Sequence, residues 1–548
     1  MLPVTLRASY DVEPVELKTF TCPGQARMEE RHIVKSAAGM SLMTFVSRVF
    51  GLMREWLRGY LLGTTGSSDA FALAFLFPNL LRRLVGEGAL MAAFVPIISD
   101  YREHYSREEL EDFTYSFFTL LLFILLGIVV IALLSAGVLR FFLPEFSKVE
   151  GKIELTIKLT RLMFPYILFI SLAALSQAIL NAHKVFMPSA ATPILLNISI
   201  ISFGLLASEI FSDPAYALGV GVLVGGIVQF FFQWPFLARY GIRFRFRFHF
   251  QGRGVKQVLR LMVPGAIGAG VYQINALVSQ FIAAFLEEGS VAALRFSLTL
   301  IELVLGIFVI SLTTVILPVL SEKSSKGDMD GMKESLRYAL RLVFIITLPA
   351  LFGLIILRYP LITMLFRYGR FTEESVDMVA RALLYHAIGL VGIGGTRVVV
   401  QMFYSMKDTK TPVYVAAGVM VVNIALCLVL SGPLRLGGIA LAGSASAYCN
   451  FFALLYLLER RIGRVVDRSV ISCFLKSIIA SLCMGGVLWF GLQRFQQFMA
   501  LSRVYNALVT ISLIVVGLFV FLLISILLRN SDVVDLMRAF RGRLGRRL

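Results

Sequence analysis

AAFVPIISDYRE, residues 92–103, ends a long apolar run with Pro96 and then becomes charged. TTVILPVLSEKS, residues 313–324, does the same, and Pro318 lies 222 positions after Pro96. A second pair of segments, QAILNAHKVFMP and QMFYSMKDTKTP, repeats at a spacing of 224 positions. The chain therefore contains two halves that share the order of their elements.

The composition is that of a membrane protein. Of the 548 residues, 58% are hydrophobic and 16% are charged, and the mean hydropathy is +0.81. These values lie well outside the range of soluble globular proteins. The five cysteines are scattered without metal-ligand spacing, so neither a disulfide framework nor a zinc site is indicated.

Fourteen apolar segments are long enough to cross the membrane, since about 20 residues span the hydrocarbon core. Their approximate limits are 34–63, 69–98, 113–141, 155–182, 189–210, 215–238, 256–286, 290–319, 335–357, 375–405, 412–431, 437–458, 470–492 and 505–528. The two repeats contain six spans each in the same orientation, as in transporters built from parallel repeats. The substrate path is then expected between the halves.

Arginine-rich loops predict the orientation. The loop ARYGIRFRFRFHFQGRGVK, the loop ERRIGRVVDRS and the tail RNSDVVDLMRAFRGRLGRRL fall on one side of the fourteen-span topology, whereas the opposite loops TTGSS, FSDPAY and LEEGS lack Lys and Arg. Positive loops face the cytoplasm, so both termini are predicted to be cytoplasmic. The same distribution explains the net charge of +18 without nucleic-acid binding.

The spans and loops predict five regions. The first of them, the N-terminal extension, is expected to be disordered, and Met28 is an alternative first residue of the protein. The regions are the N-terminal extension 1–32, an N-lobe 33–240 with six spans, a C-lobe 241–460 with six spans, the last two spans 461–530 and the basic cytoplasmic tail 531–548.

Charged residues occur inside the first two spans. They are Arg48, Arg54, Glu55 and Arg58 in the first and Asp69, Arg82, Arg83 and Glu87 in the second. The second half offers only Arg295 and Glu302 at comparable depth in its second helix. Ionisable groups in membrane helices cost several kcal/mol and face a partner or a wet cavity. The excess of positive charge suits a doubly charged anion such as a diphosphate, because guanidinium groups bind phosphate oxygens bidentately.

Helical spacing separates the roles of these arginines. Arg83 has Glu87 one turn later, so a structural ion pair and a ligand contact remain equal alternatives. Arg82 has only Asn79 and Gly86 as neighbours, and without an acidic partner it is the stronger candidate for the diphosphate. Pro78, one turn earlier, permits a kink there.

Other positions are open to simpler interpretations. Arg58 near a helix end is typical of a snorkelling anchor, and Arg295 serves either structure or substrate. The run GLVGIGGTR follows no strand, so it indicates close helix packing rather than a phosphate loop. The sequence shows no catalytic triad, carboxylate pair or Walker motif. We expect no cofactor, and transport driven by the membrane potential or by an ion or substrate gradient.

Several segments resemble the MurJ/MviN family of lipid II flippases. They are SRVFGLMRE, SDAFALAFLFPNLLRRLVGEGALMAAFVPI, FPYILFISLAALSQAILNAHKVFMPSAATPILLNIS, FRYGRF and FYSMKDTKTP, in order from about residue 33 to residue 530. The resemblance implies an all-α fold of the multidrug/oligosaccharidyl-lipid/polysaccharide exporter class, with two six-helix lobes and two C-terminal helices that form a lipid-tail groove. It also implies alternating access for undecaprenyl-diphosphate-linked lipid II.

The resemblance extends to the charged residues. Family arginines match Arg48, Arg54 and Arg82, and the acidic and basic motif positions match Glu55, Asp69, Arg83 and Glu87. Where family members often carry an arginine in the eighth helix, this chain has Thr299, and Arg295 one turn earlier on the same face is the candidate replacement. The predicted substrate-binding residues are Arg48, Arg54, Arg82, Arg83 and Arg295; the predicted gating or ion-pair residues are Ser47, Glu55, Asp69, Asn79, Glu87 and Glu302.

The predicted function is therefore a non-enzymatic flippase for lipid II in the bacterial inner membrane. Its partners are expected to be lipid II, membrane lipids and a cell-wall synthesis complex. A multidrug or polysaccharide-lipid exporter of the same superfamily is the first alternative, although multidrug exporters favour acidic cavities. A membrane glycosyltransferase or polymerase is the alternative from another class.

Overall fold

The computed structural model describes residues 43, 46–83, 90–183, 185–243 and 245–535. Within these ranges the chain is helical and contains no β-strand. The helices are α1 (46–62), α2 (Gly66–Leu81), α3 (Leu90–His104), α4 (Arg107–Ser135), α5 (Leu139–Phe142), α6 (Pro144–Lys148), α7 (Lys152–Met163), α8 (Tyr166–Ala182), α9 (Met187–Ala207), α10 (Pro214–Arg239), α11 (Arg253–Ala284), α12 (Ser290–Val304), α13 (Ile310–Ser325), α14 (Met329–Ile356), α15 (Arg358–Phe366), α16 (Glu373–Ile388), α17 (Leu390–Ser405), α18 (Lys410–Leu434), α19 (Leu436–Ile462), α20 (Arg468–Leu501) and α21 (Arg503–Leu527).

Some predictions concern residues outside these ranges. Glu87 is one of them, as are the N-terminal extension 1–32 and residues 536–548 of the basic tail. The predicted pair between Arg83 and Glu87 therefore stays a prediction.

The all-α membrane architecture is confirmed, but the number of spans is not. The described residues contain ten helices long and apolar enough to cross a membrane, or eleven if α16 and α17, which meet at 44°, form one span. The three other predicted spans coincide with helical segments, namely α1, α2 with α3, and α11. The total of fourteen thus remains a prediction.

Helix boundaries follow from polar caps placed before apolar runs. The Ser106 hydroxyl accepts a hydrogen bond from the Glu109 backbone N–H, while the Glu109 carboxylate accepts one from the Ser106 N–H. This capping box satisfies two N–H groups that a helix start leaves unpaired. Asp467 caps α20 in the same way by accepting from the Val470 N–H.

The helices pack around several apolar cores. One core is built from buried side chains between residues 62 and 258, and another from residues between 316 and 470. A third contains residues of both halves, including Leu73 of α2 and Phe296 of α12. The last two helices pack together closely, since a methyl group at Gly517 of α21 would touch the Leu488 side chain of α20. The shared core is where the charged site lies.

Candidate functional site

A narrow cavity lies where α1, α2 and α12 meet. Its walls include Arg54, Glu55 and Arg58 of α1, Asn79 of α2 and Arg295 of α12. Among the residues that the structure describes, three arginines and one carboxylate face this space, which leaves an excess of positive charge in the described part of the site. The space measures about 30 Å³, enough for a few water molecules, whereas pockets for small ligands hold about 300 Å³ or more. This space is therefore too small for a ligand of that size as the structure stands.

Glu55 is the centre of the charge cluster. Its carboxylate is 5% exposed, lies 2.8 Å from Arg54 Nη2 and 3.0 Å from Arg58 Nη2, and is within electrostatic range of Arg295. The contact with Arg58 is an ion pair without hydrogen-bond geometry, so Arg58 Nη2 retains an unused donor. Three guanidinium groups therefore lie around the Glu55 carboxylate, and some of their N–H donors remain available to a ligand.

Arg58 is not a snorkelling anchor, and that interpretation is wrong. Its side chain is 5% exposed and its guanidinium lies 4.2 Å from the centre of the Phe296 ring of α12. Pairing with Glu55 and contact with an aromatic face hold it inside the protein.

Asn197 of α9 holds Arg54 in place, and the sequence analysis missed it. Arg54 Nη1 donates to Asn197 Oδ1 at 3.0 Å, while Asn197 Nδ2 donates to the Ser47 carbonyl at 3.3 Å. Ser47 therefore acts through its backbone. The amide is 5% exposed and links α9 to two points of α1, so the direction of the Arg54 guanidinium is fixed before any ligand binds.

Arg82 has a partner within its own helix. Its Nε and Nη2 donate to Asn79 Oδ1 at 3.2 and 3.0 Å. The acceptor is the neutral amide of Asn79, one of the two neighbours that helical spacing predicts for Arg82. Asn79 lines the cavity, and it therefore connects Arg82 to the cluster around Glu55. The buried Pro78 lies inside α2 just before these residues.

Arg48 belongs to a second charged group, near the start of α1. A methyl group at Gly306 would overlap the Arg48 guanidinium, so this glycine leaves the space that the arginine occupies. Gly306 lies in a single π-helical turn, Leu305–Val309, between α12 and α13. Arg397 of α17 is within electrostatic range of both Arg48 and Glu302. The sequence analysis had assigned the segment before Arg397 to helix packing alone.

We expect Gly306→Ala to impair transport without removing a charge. The added methyl group displaces the Arg48 guanidinium, and misplacing one charged contact costs about 1–2 kcal/mol, or about tenfold in activity. Transport by the purified protein in vesicles is the measurement. Gly418→Ala is the matched control, because it also adds a methyl group within a membrane helix but meets nothing within 4 Å. Equal activity of the two variants would contradict the role of this contact.

Asp69 closes one end of the helix bundle. Its carboxylate, 1% exposed, accepts from the Gly289 and Ala292 N–H groups at 2.7 and 2.9 Å, at the first turn of α12. Lys152 Nζ of α7 lies 2.8 Å away and is 4% exposed. A carboxylate at a helix N-terminus satisfies its free N–H groups and its dipole. Asp69 thus joins α2 to α12 across the two halves.

A reciprocal contact lies beside it. Glu288 Oε1 accepts from the Gly66 N–H at the first turn of α2. Gly66 and Glu288 are 222 positions apart, the period of the sequence repeat, so each half caps the equivalent helix of the other. We call Asp69, Lys152, Glu288 and the two helix starts the seal.

Glycines allow the backbones in the seal to meet. Methyl groups at Gly63, Gly289 and Gly369 would overlap the carbonyl oxygens of Arg370, Thr64 and Tyr60, respectively. All three glycines have positive φ angles, +57°, +86° and +58°, which residues with a Cβ rarely adopt. The Arg370 N–H also donates to the Tyr60 carbonyl at 2.9 Å. Backbone contacts therefore complete the closure.

The comparison with known proteins identifies the family. The family model described as Lipid II flippase MurJ matches residues 59–510. The chain belongs to the MurJ family. A Vibrio cholerae relative described as probable lipid II flippase MurJ is 36% identical over 434 residues, which are 78% of this chain and 82% of the relative. Lipid II flippase MurJ of Burkholderia cenocepacia is 33% identical over 435 residues, covering 78% of this chain and 84% of that protein.

Solved structures agree in fold. A lipid II flippase MurJ in an inward closed conformation has a TM-score of 0.77 at 28% identity and covers 90% of this chain and 99% of its own. An inward-facing multidrug transporter of the MATE family has a TM-score of 0.67 at 15% identity. The match covers 78% of this chain and 98% of that transporter. The MATE match shows the shared fold. The MurJ match shows the same fold over a larger share of this chain.

The structure divides the predicted site residues into groups. Arg54, Glu55, Asn79 and Arg295 line one cavity, Arg48 and Glu302 lie with Arg397, and Asp69 lies in the seal. Thr299 donates to the Arg295 carbonyl at 3.0 Å, and the side chain that lines the cavity is that of Arg295. The residues that sequence reasoning missed are Lys152, Asn197, Glu288 and Arg397. Arg397 and Asn197 carry a detectable signal, because each is a polar side chain within an apolar span.

Proposed function

We propose that this MurJ-family protein moves lipid II across the bacterial inner membrane from the cytoplasmic leaflet. The observation that carries the proposal is the cavity in which Arg54, Arg58 and Arg295 lie around the carboxylate of Glu55, the one acidic group among the described residues that line it. A diphosphate brings two negative charges and several acceptor oxygens, which complement that excess charge and the unused guanidinium donors. The names of the relatives supply the lipid-linked substrate.

The seal supports an alternating-access cycle. In the closed structure it blocks the end of the bundle formed by residues 63–69 and 288–292, which the arginine-rich loops predict to be periplasmic. Separation of α2 from α12 would open a route from the cavity to that side. The opposite end would admit the substrate while the seal is closed. Both termini are then cytoplasmic.

The energy source follows from the charge of the site. A cavity with excess positive charge responds to the membrane potential, which contributes about 2.3 kcal/mol per elementary charge at 100 mV. We therefore propose that the membrane potential or an ion gradient drives the cycle, without a cofactor or a catalytic reaction. The expected association with a cell-wall synthesis complex is part of the same proposal.

Charge-removing variants of the cavity test the function. Arg54→Gln and Arg295→Gln are expected to bind the diphosphate about 30-fold more weakly each, because a hydrogen bond to a charged group contributes about 2 kcal/mol. The measurement is exposure of lipid II on the outer face of cells in which the variant is the sole flippase, with the protein level checked in the membrane. Arg48→Gln removes the charge beside Gly306, outside the cavity. It is likewise expected to lower the exposure of lipid II.

Arg358→Gln is the control. Arg358 donates to the Ile355 carbonyl and lies 4.9 Å from the Tyr359 ring, away from the cavity, so its removal should leave lipid II exposure normal. Normal exposure in cells that lack the protein and any other flippase would refute the flippase proposal. Loss of glycan polymerisation with normal lipid II exposure would instead favour the polymerase alternative.

A further inference from the structure

The segment that joins α10 to α11 alternates strictly between basic and aromatic residues. Residues 243–250 read RFRFRFHF, with arginine or histidine at every odd position and phenylalanine at every even one. Successive side chains of an extended chain point to opposite sides. The sequence of this segment thus encodes one basic edge and one aromatic edge. The positive charge of the segment is enough to fix the orientation of the protein in the membrane. Orientation does not require the phenylalanines.

Two backbone hydrogen bonds attach the segment to α4. The Arg243 N–H donates to Tyr115 Oη at 3.3 Å, and the Arg247 N–H donates to Thr119 Oγ1 at 3.1 Å. N–H groups four residues apart face the same way in an extended chain, as these do. The segment is therefore fixed against a helix whose apolar window has a mean hydropathy of 3.2.

The aromatic edge is uncovered. Phe246 is 63% exposed and Phe248 is 66% exposed. The Phe248 ring lies 6.2 Å from the ring of Phe123, which is itself 51% exposed on α4. Exposed rings that continue the apolar surface of a membrane helix fit the hydrocarbon boundary of the bilayer.

The basic edge divides into two parts. His249 Nδ1 lies 2.7 Å from Asp112 Oδ2, and Arg247 shares a cavity of about 450 Å³ with the acidic residues at the start of α4. Arg243 and Arg245 are exposed, and no carboxylate of the described residues forms an ion pair with either of them. These two guanidinium groups are therefore available to an external anion.

We propose that Arg243, Arg245, Phe246 and Phe248 form a site for an anionic phospholipid in the leaflet that faces the arginine-rich loops. Phe246 and Phe248 enter the acyl region, and Arg243 and Arg245 hold the phosphate. A soluble anion would make no apolar contact with the exposed phenylalanines. A phospholipid contacts the arginines through its phosphate and the phenylalanines through its acyl chains. The site is separate from the cavity around Glu55.

Native mass spectrometry of the full-length protein titrated with phosphatidylglycerol or phosphatidylcholine tests this site. Arg243→Gln/Arg245→Gln is expected to weaken phosphatidylglycerol binding about tenfold, because each basic residue near an anionic lipid surface contributes to the binding free energy. Binding of phosphatidylcholine should stay unchanged. Phe246→Ser/Phe248→Ser is expected to weaken both lipids. Lys410→Gln/Arg460→Gln is the matched control, because it removes two exposed positive charges from the ends of α18 and α19 on the same predicted side.

Three outcomes would overturn the proposal. The first is unchanged phosphatidylglycerol affinity in Arg243→Gln/Arg245→Gln. The second is displacement of phosphatidylglycerol by glycerol phosphate, which would indicate a site for soluble phosphate. The third is loss of lipid II binding with phosphatidylglycerol binding intact, which would assign the arginines to the substrate. Unchanged melting temperatures would confirm that the variants, all at exposed positions, remain folded.

Discussion

Lys152→Met should lower the free energy of unfolding by about 3–5 kcal/mol, the cost of leaving one charge of a buried ion pair without its partner. Both side chains of the pair with Asp69 are almost fully buried, at 4% and 1% exposure. Chemical denaturation of the purified protein in detergent measures the loss. Because Asp69 also caps α12, we expect the seal to open more often in this variant.

The double variant Asp69→Asn/Lys152→Met should recover most of that loss. The side-chain carbonyl of the introduced asparagine can still accept from the first turn of α12, and the methionine fills the volume of the lysine stem without a charge. Glu322→Gln is the control, because it removes one partner of the exposed pair with Lys326, and exposed pairs contribute less than about 1 kcal/mol. If the single and double variants were equally unstable, the ion pair would not be the stabilising element.

Alanine at Gly289 or Gly63 should open the seal. Each substitution forces a Cβ into the left-handed region, which costs about 1–2 kcal/mol, and also drives it into a carbonyl oxygen of the facing half. The readout is the rate at which a membrane-impermeant maleimide modifies Ser68→Cys, a fully buried position at the start of α2, with the native cysteines replaced by serine. We expect at least a tenfold faster reaction.

Gly151→Ala and Gly327→Ala separate the cost of backbone strain from the cost of the steric collision. These glycines have φ angles of +73° and +70°, but a methyl group at either meets nothing within 4 Å. They share the backbone strain of Gly289→Ala and lack its collision. Faster labelling in these controls as well would show that general destabilisation, rather than contact between the halves, exposes residue 68.

The sequence predicted most of the membrane architecture because the bilayer imposes it. Helices must be apolar and about 20 residues long, so the spans are visible in composition. The arginines of α1 and α2 were found for a related reason, since charge in such a segment is costly and needs a function. Asn197 carries no charge, and it escaped detection although it orients Arg54.

The contacts between side chains were harder to predict. Arg54 and Glu55 are adjacent in α1, and adjacent positions of a helix do not face each other, but the long guanidinium stem bends back to the neighbouring carboxylate. Lys152 and Glu288 lie near the ends of spans, where charge is ordinary, and only the approach of helices distant in the sequence buries or pairs them. Information on that approach is not local, so spacing along one helix does not contain it.

The exchange of helix caps has a consequence for the exit of the substrate. In the closed state the carboxylates of Asp69 and Glu288 occupy the first turns of α12 and α2 as resident anions. Parting the two halves would withdraw both carboxylates at once and leave two electropositive helix starts facing the outlet. Helix N-termini bind phosphate readily. Opening would thus create a pair of transient phosphate receptors along the path that a diphosphate must take, and re-closure would return the carboxylates and expel it.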